Sequence, residues 1–294
     1  MNSTTGMKVI MIKKPRNILI LLFCIVGWVV YQMGSSVLHQ LRDVPESTDL
    51  LHWIGQVMFD IFSNHMLYER LFNGLILYSS AVFFYHLISQ AVLHFRLELS
   101  MRRFSNHELS REWQALFPEE NMRITVISTP SFVAMAVGAL KPKIVLSTGA
   151  IEVLGKNELQ AIIWHEVYHC RFYHPLQNLI LTLTRKSFMY LPVIEALVKY
   201  YSVWMELMAD RYAMRQMNSA KPLGNALLVL LHHQNQTVAT KGTVYFAEDA
   251  VNFRIKQILD PSSSLQITIV TKRQMMLSIP VLIIVLIIPF LSHV

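Results

Sequence analysis

Five residues, His165, Glu166, Val167, Tyr168 and His169, carry the first chemical signal in this chain. Positions i and i+4 share one face of an α-helix, so the two imidazoles can reach a single Zn2+ ion. Glu166, beside the first of them, can hold and deprotonate an attacking water. The surrounding string NELQAIIWHEVYHCRF (157–172) has helical apolar spacing, with Leu159, Ile162 and Ile163 able to bury one side. A catalytic zinc site requires a third protein ligand and leaves a fourth position open. The helical pattern at 193–217 offers Glu206 as that ligand. Asp210, one turn later on the same face, is spaced to accept the second N–H of a ligand histidine. Without HEVYH these carboxylates would read as a solvated helix face, with Asp210 paired to Arg211 or Arg215. With it, they complete a site.

Several elements must position these residues. NHELSREWQALF (106–117) has helical spacing. RITVIS (123–128), FVAMAVG (132–138) and KIVLS (143–147) are short apolar or β-branched runs, separated by Pro130 and by the turn at Leu140, Lys141 and Pro142. They predict a small sheet, and the run 134–138 is a candidate edge for pairing with an extended substrate. Thr148 is the expected cap of a short helix over 150–154, and Lys156 or Asn157 opens the motif helix.

The chain has 294 residues, 53% of them hydrophobic and 15% charged. Average globular proteins have roughly 45–50% and about 25%, so an ordinary soluble or disordered chain is excluded. Two apolar stretches at 17–41 and 71–94 carry no formal charge, and a third runs from 274 to 294, each near the roughly 20 residues a bilayer requires. Lys8, Lys13, Lys14 and Arg16 precede the first, Arg96, Arg102, Arg103 and Arg111 follow the second, and Lys272 and Arg273 precede the third. The segment between the first two is acidic, with Asp43, Glu46, Asp49, Asp60 and Glu69. Positive charge stays on the cytoplasmic side. The N-terminus and residues 95–273 are therefore expected inside, and the C-terminus outside. The net charge of +7 is explained by this topology and not by a basic arm, so no direct nucleic-acid partner is expected. Cys24 and Cys170 are too few and too badly placed for a disulfide framework.

The fold expected is α+β: a mainly helical integral membrane protein with about three transmembrane helices and a zinc protease domain containing a small sheet. Residues 1–94 form the N-terminal membrane region, 95–273 the catalytic domain and 274–294 the last span. Residues 176–204 are also apolar, but Arg185, Lys186, Glu195 and Lys199 interrupt them. One crossing there would separate Glu206 from His165, and two would need about 20 residues each. The stretch is read as helices within the catalytic domain or against the inner leaflet, broken at Pro192.

HEVYH followed by ELMADRYA resembles the gluzincin membrane metallopeptidases, specifically the antirepressor type represented by bacterial β-lactam signal transducers. VGALKPKIVLS before the motif, RFYHP after it and RIKQIL at 254–259 also have counterparts, so the resemblance spans about 132–259. It implies a zinc endopeptidase with His165, His169 and Glu206 as ligands, Glu166 as catalytic base and Asp210 as support. It also implies a cytoplasmic protein substrate, such as a transcriptional repressor. Arg254 is, by the same resemblance, a candidate transition-state stabiliser, with a structural salt bridge as the alternative. The β-lactam receptors carry a penicillin-binding sensor after their last span, and this chain ends at Val294, so the protease part alone is expected.

Two other functions compete: a housekeeping or prenyl-protein-processing membrane protease, and a non-catalytic membrane sensor or scaffold with structural zinc. An intact Glu166 argues against the scaffold. His174 reads as a helix-end residue and not a ligand, His232 and His233 as surface groups, His86 as hydrogen-bonded between helices, and Cys170 as lying off the ligand face. The outer loop of about 30 residues is too small for a ligand-binding core. A membrane sensor partner or the bilayer itself is therefore the expected source of any signal, with 50–62 as an amphipathic segment on the outer leaflet.

Overall fold

The computed structural model describes residues 15–43, 67–117, 122–236, 244–260 and 271–291. Helices dominate. Two apolar helices come first, α1 (Pro15–Asp43) and α2 (Leu67–Phe104). They contain windows, Arg16–Ser35 and Phe72–Phe104, long and apolar enough to cross a bilayer. Phe84 and Ile88 on α2 are 58% and 62% exposed, as lipid-facing side chains would be. The third expected span coincides with a 20-residue helix, Lys272–Leu291. The segment 50–62 and Lys8, Lys13 and Lys14 lie outside the described residues.

The chain divides into two compact units. The first comprises 1–87, 183–198 and 268–294, and the second 88–182 and 199–267. In the second unit, strand β1 (Ser105–Asn106) leads into α3 (His107–Ala115). Asn106 ends the strand and caps the helix, its Oδ1 accepting the Leu109 N–H at 3.1 Å. The helix is thus shorter than the apolar spacing over 106–117 predicts.

Next come β2 (Arg123–Ile127), β3 (Ala134–Val137) and β4 (Lys143–Ser147), the three strands expected from sequence. β2 and β4 run parallel with Arg123 opposite Lys143, β3 returns antiparallel along β4, and the order is β1-β2-β4-β3. β3 is therefore an edge. The turn between β3 and β4 needs Gly138, at φ +97°, where an added Cβ would lie 2.6 Å from the Lys141 carbonyl oxygen. Ile124, Val126, Ile144 and Leu146 project from alternate strand positions into a core shared with Trp113, Leu159, Ile163 and Val167.

The short helix α4 (Thr148–Val153) is capped by Ser147, whose Oγ accepts the Ala150 N–H at 3.0 Å. Thr148, the expected cap, instead exchanges hydrogen bonds with the backbone of Thr129. The motif helix α5 (Lys156–Arg171) opens where predicted, with Glu158 reaching back to the Gly155 N–H at 2.6 Å. After it come α6 (His174–Ser187) and α7 (Pro192–Gln216), then α8 (Lys221–Gln236) and α9 (Val244–Leu259).

The apolar stretch 176–204 is therefore the α6–α7 hairpin, and its tip, 183–198, groups with the first unit. There Tyr190 OH and Ser79 Oγ are 3.1 Å apart. The Val193 N–H, which the start of α7 leaves without an intrahelical acceptor, donates to Ser278 of α10 (Lys272–Leu291) at 2.9 Å. The tip thus shares polar contacts with α2 and α10, which sequence reasoning did not anticipate.

Candidate active site

Helix α5 delivers His165, Glu166 and His169, all buried, with one side of the helix anchored by Leu159, Ile163 and Val167 in the core behind the sheet. Helix α7 delivers Glu206 and Asp210, and α9 delivers Arg254. The two histidine Nε2 atoms lie 3.0 Å apart. Glu206 approaches them from α7, with Oε2 3.4 Å from His165 Nε2 and Oε1 3.6 Å from His169 Nε2. His165, His169 and Glu206 form a group able to hold a metal ion, their offered atoms all within 4.8 Å of one another. Among the described residues it is the one such group found. Two imidazoles and a carboxylate aimed at one point fit the donor set of a catalytic zinc site.

Behind these atoms lies a supporting chain. His165 Nδ1 is 2.9 Å from Asp210 Oδ1, and Asp210 is fully buried. Arg254 grips Asp210 with two hydrogen bonds, Nε to Oδ2 at 2.7 Å and Nη2 to Oδ1 at 2.8 Å, and its Nη1 lies 3.3 Å from Glu206 Oε2. The salt bridge, one of the two readings of Arg254 from the sequence, is present. Arg254 also lines the cleft. Asp210 is not paired to its neighbour Arg211, whose Nε donates to Gln257 Oε1 at 2.8 Å.

Glu166 Oε2 accepts the backbone N–H of Ala136 on β3 at 2.7 Å, a contact sequence reasoning missed. The strand phase explains it. The Ser147 N–H donates to the Val133 carbonyl at 2.8 Å, so Ala134 and Ala136 occupy the alternate positions whose N–H and C=O turn away from β4. The cleft is a cavity of about 290 Å3, with Ala134, Ala136, Ile162, Leu223 and Leu227 among its walls.

Charge is organised as well. Burial works against a proton on His165, but Asp210 and Glu206 outweigh it and raise its pKa to about 10. Burial lifts Glu166 to about 7, countered in part by the His165 charge and the Ala136 N–H. Burial and the nearby His165 charge lower His169 to about 3. Desolvation opposes the charge on Glu206, yet His165 and Arg254 hold it below the usual carboxylate range.

His174 is at the start of α6, as a helix-end residue should be, but it is also buried with Nδ1 2.7 Å from His169 Nδ1. Cys170 is buried in the core, its thiol pushed up to about 12 by burial. His232 is exposed on α8, and the side chain of His233 lies outside the described residues.

Paired histidines, a facing glutamate, and a second glutamate beside the first histidine are an arrangement compatible with a metallopeptidase centre. The chain belongs to the BlaR1 peptidase M56 family, which matches residues 63–258. It is thus a membrane-associated metallopeptidase, a hydrolase acting on peptide bonds, and the resemblance read from HEVYH and ELMADRYA is borne out. No curated protein matches the chain.

Proposed function

We propose that this protein is a regulatory zinc endopeptidase of the cell membrane that cleaves a cytoplasmic protein such as a transcriptional repressor. One observation carries the chemical part: His165, His169 and Glu206 converge on one point, with the Glu166 carboxylate on the same cleft wall. His165, His169 and Glu206 would hold Zn2+, which when bound polarises a carbonyl and lowers the pKa of water. Glu166 takes a proton from the attacking water at its carboxylate and delivers it to the leaving amine. A carboxyl group with a pKa near neutrality suits both duties.

An extended substrate would pair with the outward N–H and C=O groups of Ala134 and Ala136, displacing Glu166 from the Ala136 N–H. Arg254, fixed by Asp210 at the cleft wall, would donate to the oxygen that gains charge. Lys and Arg placement supports a multi-pass topology with the N-terminus and protease unit inside. The resemblance to antirepressor transducers supports the regulatory role, with a membrane partner or the bilayer as the source of the signal.

The test is hydrolysis of an unfolded protein by the detergent-purified chain. Activity lost on chelation and restored by Zn2+ is expected. Activity unchanged by exhaustive chelation would refute the zinc assignment.

A further inference from the structure

We infer that His174 is the positioning residue for His169, fixing the tautomer and ring angle that aim His169 Nε2 at the metal position. The inference rests on the reading that His165, His169 and Glu206 hold a metal ion.

The two rings meet Nδ1 to Nδ1 at 2.7 Å, and both are buried. A contact that short between two ring nitrogens requires one proton between them. His169 Nε2 faces His165 Nε2 at 3.0 Å and Glu206 Oε1 at 3.6 Å, so a metal ligand there needs its lone pair on Nε2. The proton then belongs on His169 Nδ1, which donates to His174 Nδ1. His174 in turn carries its own proton on Nε2. Each ligand histidine thus has a partner behind it: Asp210 for His165, and His174 for His169. The second partner is a neutral acceptor. A further carboxylate would add negative charge to a cluster that already holds Glu206, Asp210 and Glu166 around the partly buried Arg254.

The chain takes an unusual path to make this contact. Were α5 to continue unbroken, residue 174 would lie about 140° around the axis from residue 169, out of reach of its ring. Instead α5 ends with the Phe172 N–H on the Tyr168 carbonyl and the Tyr173 N–H on the Cys170 carbonyl, both at 3.1 Å. Tyr173 adopts a left-handed conformation, φ +53°, which is unfavourable for a non-glycine residue. The Gln177 N–H then donates to the Tyr173 carbonyl at 3.0 Å and starts α6. This turn folds His174 back onto the ligand helix, against the paired rings of Tyr168 and Phe172, whose centroids lie 5.5 and 6.1 Å from its own. A tyrosine held in that conformation immediately before the histidine marks a turn maintained for what it positions.

The test measures Zn2+ affinity by competition with a chelator, and the visible spectrum of the Co2+-substituted protein, for the full chain in detergent. Wild type, His174→Asn and His174→Phe are compared, with Glu206→Ala as control and the melting temperature of each metal-free protein as a check on folding. His174→Asn keeps an acceptor oxygen near the Nδ1 position and should bind within about threefold of wild type. His174→Phe fills the space without an acceptor and should bind 10–100-fold more weakly, with an altered Co2+ spectrum. Wild-type affinity and spectrum in folded His174→Phe would overturn the inference, as would equal losses in the two variants. If Glu206→Ala still abolishes binding in that case, the metal site itself stands. A wild type that binds no Zn2+ would overturn both.

Discussion

Asp210 Oδ1 lies 2.9 Å from His165 Nδ1 while both Asp210 oxygens are held by Arg254, so the histidine is oriented by a carboxylate that is itself locked in place. Asp210 is fully buried and only 16% of the Arg254 side chain is exposed. Removing one partner strands the other. Asp210→Ala should therefore cost about 3–5 kcal/mol of stability, and 10–100-fold in metal affinity through His165. Replacing both, as Asp210→Leu with Arg254→Met, should recover much of the stability but not the affinity. Thermal unfolding with zinc competition checks both. Full recovery of affinity in the double variant would contradict the orienting role.

Metal uptake should release protons with a defined sign. His165, raised to about 10, is protonated in the metal-free protein at pH 7 and must lose that proton to ligate. His169, lowered to about 3, is already neutral, and Glu206, below the usual carboxylate range, is already ionised. Neither contributes. Glu166, near 7, gives up to about half a proton as the cation draws it toward ionisation. Calorimetry at pH 7 in two buffers of different ionisation enthalpy should thus report about 1–1.5 protons released per metal. Affinity should rise with pH from 6 to 8. No proton release would show that His165 is neutral before metal arrives.

At the β3–β4 turn, Gly138→Ala should destabilise the catalytic unit by more than about 1 kcal/mol, because φ +97° and the 2.6 Å approach to Lys141 exclude a Cβ. Since the turn fixes the edge carrying Ala134 and Ala136, hydrolysis should fall as well. A wild-type denaturation midpoint in the variant would mean the turn relaxes freely.

What was legible in the sequence follows from how local each signal is. HEVYH and the Glu206–Asp210 pair rely on i, i+4 spacing within single helices, and residue type alone announces them. The three main strands were visible as runs separated by Pro130 and by the Lys141–Pro142 turn. Contacts made by turns and strand phase were not. Ala136 meets Glu166 through a backbone N–H, which no residue type announces. His174 reaches His169 only because Tyr173 takes a conformation usually flagged by glycine, so the sequence hid the turn. A histidine five residues past a ligand and beside Pro175 was the available signal. Ser147 and Thr148 are adjacent hydroxyl residues, and only the geometry shows which one caps α4.

Topology can be read by labelling. With Cys24 replaced by Ser, a cysteine introduced at Ser63 should react with a membrane-impermeant thiol reagent in intact cells, and one at the exposed Lys141 should react only after lysis. The opposite pattern would invert the proposed orientation.

The central claim is that His165, His169 and Glu206 hold the metal while Glu166 moves the proton. Metal content and peptide hydrolysis of purified wild type, Glu166→Ala and Glu206→Ala test it most directly. Glu166→Ala should keep one zinc per chain and lose at least about 10²–10⁴-fold in hydrolysis, since it removes the base and no ligand. Glu206→Ala should lose both metal and activity. Full zinc occupancy and wild-type hydrolysis in Glu206→Ala would contradict the account.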